Sequence, residues 1–404
     1  MPLCFYLNIH LCCLILIIKT HLIKSQPFIE NNNLNGEFSD TYGAINIRIR
    51  FGSGTYQRHN LNLDLTSQFS WTNEILYNNS FSNSTKIIKD NIQINLKKDK
   101  NIEVALCTNE FHISGPSELT IKNFPYYHIK SKEESLPMTM GFAFHFNNYD
   151  FSFIHCLYRE GIIKHKAFSI VRGSTEFRGK IYYGGIPKEI YNTLYKGHCK
   201  VKQQNRQEWN CHINEMTFSN ITTYTSSNFN YKGIMLLDNT GNDILIPKPF
   251  FKKINETFFK DKIENGICVV ELGKIGSSPL YMCRCKEIEL NNYTLTLVIE
   301  GYEYTLGYEQ LFEDILGYCY VNIRESNRGN DDIIYMGSSF FQQYDALFDY
   351  DSKSITFLSK KEINYTNIFV FNYDCYRKSY IFIILLLIVN ICYLIFIKLK
   401  MNHL

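Results

Sequence analysis

A chain of 404 residues with 45% hydrophobic and 20% charged side chains has room for two packed domains or one large two-lobed body, so a single small domain, intrinsic disorder and fibrous architecture are poor readings. The 42 Lys plus Arg against 39 Asp plus Glu leave a formal charge of +3, too balanced for phosphate-backbone binding, and no nucleic-acid partner is expected. The 29 Tyr and 30 Phe against 9 Pro favour strands, because aromatic side chains fit a half-buried pleated surface.

Residues 3–18 form an apolar run with a short polar interruption, followed by Lys19, Lys24 and the small Ser25. The run is too short to span a bilayer comfortably and sits where a secretory signal places its apolar region, although the preceding positive charge is missing; residues 1–25 are read as a signal peptide. Beyond it come many short alternating segments, among them AINIRIRF (44–51), KIYYGG (180–185) and SITFL (354–358), with YNTLY and PFFKKINETFF as the better helix candidates. The expected body is mainly antiparallel sheet with a few short helices. After a juxtamembrane stalk (363–379), Tyr380 to Ile397 make 18 residues with Asn390 as the strongly polar member, flanked by Arg377, Lys378, Lys398 and Lys400. This is the length and composition of a transmembrane helix. A cleaved signal would place the body in the lumen or outside the cell and the tail (398–404) in the cytoplasm, giving a single-pass type I protein of the secretory pathway or cell surface.

Cysteine usage agrees with that compartment. Of 13 Cys, Cys4, Cys12 and Cys13 lie in the signal and Cys392 in the membrane run, leaving nine on the exposed side, enough for up to four disulfides and one free thiol. Cys199 and Cys211 would pair if residues 199–211 form a hairpin, Cys268 with Cys283 is a further pairing, and Cys375 is the candidate for the unpaired thiol. Cys283 and Cys285 stand one residue apart, poor spacing for zinc, and neither metal nor cofactor is expected. Six N-x-S/T sequons, at Asn78, Asn83, Asn220, Asn255, Asn292 and Asn364, fit a glycosylated lumenal body.

A weak internal repeat is the more informative pattern. NLDLTSQFSW (62–71) and MLLDNTGNDILIP (235–247) each place an Asp after apolar residues and before small polar ones. Each is followed by an apolar-apolar-Gly triplet, Thr139-Met140-Gly141 in the first half, with Thr at one apolar position, and Tyr335-Met336-Gly337 in the second. Two such halves would make a two-lobed molecule whose carboxylates, Asp64 and Asp238, meet at the junction.

With YMGSSFFQQYDALFDYDSKSITF near the end of the body, GKIYYGGIP closing its first half and FIHCLYREGIIKHKAFSI before that, the chain resembles the pepsin family of aspartic proteases over about Tyr42 to Leu358. The resemblance implies a bilobal fold with lobes at 26–188 and 189–362, a Cys285–Cys319 disulfide in the second lobe, and hydrolysis by two Asp that share a proton. Asp64 and Asp238 take those places. Relatives follow each Asp with Thr/Ser and Gly; here the triplets read Asp64-Leu65-Thr66 and Asp238-Asn239-Thr240, so β-branched Thr is expected to crowd both loops and the bracing hydroxyls are lost. Gly241 would restore the second turn only with a slipped register, which the match to ILIP argues against. Ser67 stands where relatives often hydrogen-bond the first Asp. Residues 94–104 take the place of the substrate-covering flap, with Leu96 where relatives carry Tyr. Trp71 keeps the place of that Tyr's partner, and the missing Tyr favours a plain core role for it. The short lead between Ser25 and Tyr42 leaves no room for a long basic prosegment. The expectation is a membrane-anchored relative, impaired in proteolysis, that uses its cleft to bind a peptide or protein. The alternatives are an active aspartic endopeptidase and a receptor or adhesion module on the same sheets.

Overall fold

The computed structural model describes residues 29–30, 34–41, 44–52, 57–73, 85–97, 100–113, 119–130, 137–144, 152–173, 178–201, 208–220, 225–228, 231–271, 280–287, 292–328 and 332–363. The expected signal, the stalk beyond Ile363, the apolar run at 380–397 and the cytoplasmic tail lie outside them, as do Cys375, Asn78, Asn83 and Asn364. Among the described residues no helix is long and apolar enough to cross a membrane.

The body is mainly β. Strand Ala44–Phe51 shows the cause: its alternating sequence sends Ile45, Ile47, Ile49 and Phe51 into the core while the residues between them stay partly or fully exposed. Strands of this kind build a 13-stranded, an 8-stranded and a 4-stranded sheet, with a two-stranded parallel pair beside them. The largest sheet crosses from one half of the chain to the other. Strands Tyr195–Lys200, Ser354–Ser359 and Asp345–Asp349 of the second half continue into Ala167–Arg172, Arg178–Tyr183 and Asn35–Thr41 of the first.

Aromatic packing seals that seam. Phe168 stacks on Phe348 with centroids 4.6 Å apart, and the fully buried Trp209 packs edge-on to Phe348 and Tyr350. The Trp209 Nε1–H and the Tyr350 hydroxyl both donate to the Phe142 carbonyl, at 2.7 and 2.9 Å. Phe142 N in turn donates to the Asp64 carbonyl at 2.8 Å, so this core stands directly behind the first aspartate loop.

Helices are short. The first helix candidate begins earlier than its sequence suggested, at Lys188–Thr193 behind Pro187, whose fixed φ suits a helix start, and Tyr195 opens a strand instead. The second, Lys248–Ile254, passes through one π turn (Asn255–Phe259) into Lys260–Glu264. Phe258 and Phe259 are both buried there, and Phe259 stacks on Tyr281 at 5.0 Å.

Among the described residues three disulfides are present: Cys199–Cys211, Cys268–Cys283 and Cys285–Cys319, with Cα separations of 5.8, 4.0 and 5.2 Å. The first does not close a hairpin. Tyr195–Lys200 pairs with Ser354–Ser359 in the largest sheet, whereas Asn210–Asn220 pairs with strands of the 8-stranded sheet, so the bond ties two sheets together. Of the described sequons, Asn220 is buried, which leaves little room for a glycan, while Asn255 and Asn292 are half-buried.

Asp345, at the seam, accepts a hydrogen bond from the Arg172 backbone N–H at 2.8 Å. Burial pushes its carboxyl up to about 6, against that N–H and the charges of Lys360 and Arg172. Its folded-state value lies above the unfolded one, so between about pH 4 and 6 the folded protein binds the extra proton and stability rises as pH falls. Asp345→Asn keeps an acceptor for Arg172 N–H and is expected to raise stability by about 1–3 kcal/mol near pH 7.5. Urea unfolding should show that gain shrinking to nothing by about pH 4.

Candidate active site

The two halves build their aspartate loops with the same threading. In the first, strand Gln57–Asp64 runs parallel to Thr139–Gly141, and the chain beyond Asp64 returns as Trp71–Asn73, antiparallel to Thr139 and parallel to Leu119–Ile129. In the second, Gly233–Leu237 runs parallel to Ile333–Met336, and the return strand Ile244–Ile246 lies antiparallel at Tyr335 and parallel to Ile323–Glu325. Each Asp therefore sits at the end of an inner strand, beside the Gly of its apolar-apolar-Gly triplet. Those glycines are needed for space. A Cβ on Gly141 would stand 2.6 Å from the Phe69 carbonyl oxygen, and one on Gly337 2.4 Å from that of Asp243.

The loops touch through Asn239. Its side chain is fully buried; Oδ1 accepts from Leu65 N at 2.9 Å and Nδ2 donates to the Leu63 carbonyl at 2.7 Å. One side chain of the second loop thus braces both neighbours of Asp64, and the expected loss of bracing is corrected. An amide carries a donor and an acceptor and reaches farther than a hydroxyl, so it serves the opposite strand alone. Leu65 is fully buried in the core.

The two Thr do not wedge the loops apart. Thr66 is half-buried and Thr240 exposed, and each turns its hydroxyl onto its own aspartate. Asp64 Oδ1 accepts from Thr66 Oγ1 (2.6 Å), Thr66 N (2.7 Å) and Ser67 N (3.1 Å). Asp238 Oδ1 accepts from Thr240 Oγ1 (2.5 Å) and Thr240 N (3.2 Å). The other oxygen of Asp238 is taken by a residue that no motif points to: Arg328 Nη2 lies 2.8 Å from Oδ2. The guanidinium also rests 4.2 Å over the Tyr335 ring. Four residues earlier on the same segment, Arg324 pairs with Asp243 at 2.9 Å, so two arginines hold the Asp238 loop.

Asp64 and Asp238 are 8% and 7% exposed. Burial raises the Asp64 carboxyl above the usual range, and the charge of Asp238 adds to it, against the Thr66 hydroxyl and the Thr66 and Ser67 N–H donors. Two buried carboxylates on matching loops, one favouring its neutral form beside the other, are the parts of an acid–base pair. The family model for eukaryotic aspartyl proteases matches residues 55–360. The chain belongs to the eukaryotic aspartyl protease family. No curated protein sequence matches it.

The remaining family positions are occupied as follows. The Ser67 hydroxyl donates to the Phe69 carbonyl at 2.9 Å, so it is the Ser67 backbone N–H that reaches Asp64. Trp71 is 5% exposed in a small core with Ile102, Val104, Tyr127 and Ile129, its Nε1–H on the Pro137 carbonyl at 2.9 Å. Its surroundings are those of a core aromatic and leave little of the ring for a ligand. Leu96 lies near the tip of the hairpin made by Lys86–Lys97 and Lys100–Ile113, the stretch expected to take the place of the flap; its side chain is outside the described residues. Cys285 and Cys319 stand close to Asp314 in a grouping that could suggest a metal, but their sulfurs are joined to each other.

Proposed function

We propose that this aspartyl protease relative is impaired in proteolysis and uses the cleft above Asp64 and Asp238 to bind a peptide or protein, tethered to a membrane of the secretory pathway or cell surface by residues 380–397. The Arg328–Asp238 ion pair carries this reading. Peptide hydrolysis by two carboxylates needs one to take a proton from water while the other protonates the substrate carbonyl. Asp238 has one oxygen on Thr240 and the other on a guanidinium, so water and substrate must compete with a bound cation for it. A second reading, an active endopeptidase working through Asp64 and Asp238, is favoured by the raised Asp64 carboxyl and the Asn239 brace.

Cleavage of a broad peptide library by the full-length chain in mild detergent, across acidic and neutral pH, separates the two. Turnover is expected at least about tenfold below that of an ordinary family member, because only the fraction of molecules in which the guanidinium has left Asp238 can react. Ordinary rates that vanish in Asp64→Asn or Asp238→Asn would establish the active reading instead.

A further inference from the structure

Around Asp238 the backbone that an aspartate pair needs is intact. Gly141 and Gly337 allow the close approach of the chain, Asn239 ties the loops, and Asp64 is buried under the influence of Asp238. Among the described residues, the Arg328 guanidinium is the cation that meets this pair. It reaches in from the stretch that follows strand Ile323–Glu325, where Ser326 N is bound to the Ile246 carbonyl (2.7 Å) and Arg328 N to Ser326 Oγ (3.4 Å). Its side chain is 38% exposed against 8% for that of Asp238. The arginine therefore covers the carboxylate from the solvent side. A half-exposed guanidinium held by one ion pair and one ring face is a displaceable contact, because surface-facing ion pairs and cation–π contacts are individually weak.

We propose that Arg328 is an autoinhibitory latch, a built-in cation that closes the aspartate pair by occupying Asp238 Oδ2, and that removing its charge opens the site. The proposal rests on reading this cleft as an aspartyl protease site. A ligand that must reach the aspartates binds only the fraction of molecules in which the guanidinium has left, and its apparent affinity is reduced by that fraction. Without the cation the charge of Asp238 acts on the buried Asp64 carboxyl with less to offset it, which favours a proton on Asp64. That protonated state is the one that receives a secondary hydroxyl or a hydrated carbonyl.

The probe is a hydrophobic peptide analogue with a central secondary hydroxyl, titrated by calorimetry into the full-length chain and its variants. Arg328→Gln is expected to bind it at least about tenfold more tightly than the unaltered chain, while Arg328→Lys, which keeps the charge, stays within about threefold of it. Arg328→Met keeps a long side chain over Tyr335 without charge and serves as a second uncharged variant if Arg328→Gln does not fold. Unchanged affinity in a folded uncharged variant, checked by its thermal melt, overturns the proposal; so does an equal gain in Arg328→Lys. Peptide cleavage by the unaltered chain at ordinary rates would overturn the impaired reading, whereas the latch is judged by the difference between Arg328 and its uncharged replacements.

Discussion

Gly337→Ala is expected to destabilise the protein by about 3 kcal/mol and to displace the Asp238 loop, because forced overpacking against rigid groups costs at the upper end of the usual range. Gly337 has φ −72°, a value open to any residue, so the effect is one of space alone. The added methyl would stand 2.4 Å from the Asp243 carbonyl oxygen and 2.6 Å from Asn242 backbone atoms. These are backbone neighbours that cannot rotate aside, and Asp243 is itself held by Arg324. Gly141→Ala should behave alike, with the Phe69 and Ser67 carbonyl oxygens at 2.6 and 2.7 Å. Gly241→Ala is the control: nothing lies within 4 Å of a Cβ there, and its stability should stay within about 0.5 kcal/mol of the parent. Urea unfolding of the three variants checks the ranking; a neutral Gly337→Ala would mean that the chain at Gly337, between strand Ile333–Met336 and helix Ser338–Gln343, does not lie against the Asn242–Asp243 backbone as described.

Asn239→Ala is the second large effect, expected at about 2–5 kcal/mol with a matching loss of ligand binding, since it strands two buried backbone groups at about 1–3 kcal/mol each. The Leu65 N–H and the Leu63 carbonyl both lose their partner across the loop contact. Asn239→Asp should be worse than Asn239→Ala. It still accepts from Leu65 N, but turns an acceptor toward the Leu63 carbonyl and buries a third carboxylate beside Asp64 and Asp238. Asn239→Thr, the residue type that relatives use, should fall between the parent and Ala because one hydroxyl replaces two amide groups. Thermal melts of the four chains, with calorimetric titration of the hydroxyl-bearing analogue, check this order. An Asn239→Ala protein that melts with the parent would show that the two loops are held together by other contacts.

Much of the site's position was set by the chain itself. Period-two alternation, the matched Asp turns and the matched apolar-apolar-Gly triplets are local patterns, and local sterics and burial suffice to turn them into strands, turns and close backbone contacts. Asp64 with Gly141 and Asp238 with Gly337 follow from those patterns, as does the mainly β body. The polar chemistry around the aspartates was decided by tertiary structure. Asn239 meets Leu65 across 174 positions, Arg328 comes to Asp238 from another strand end, and Cys199 meets Cys211 between two sheets. Neither periodicity nor turn chemistry encodes which distant side chain fills a buried donor or acceptor. Thr66 and Thr240 show the same division: their β-branched shape argued for crowding, but the loops leave one half-buried and the other exposed, so each hydroxyl settles on the nearest carboxylate. A hydrogen bond is chosen by what the assembled fold brings within about 3 Å, and that distance is a property of the whole chain.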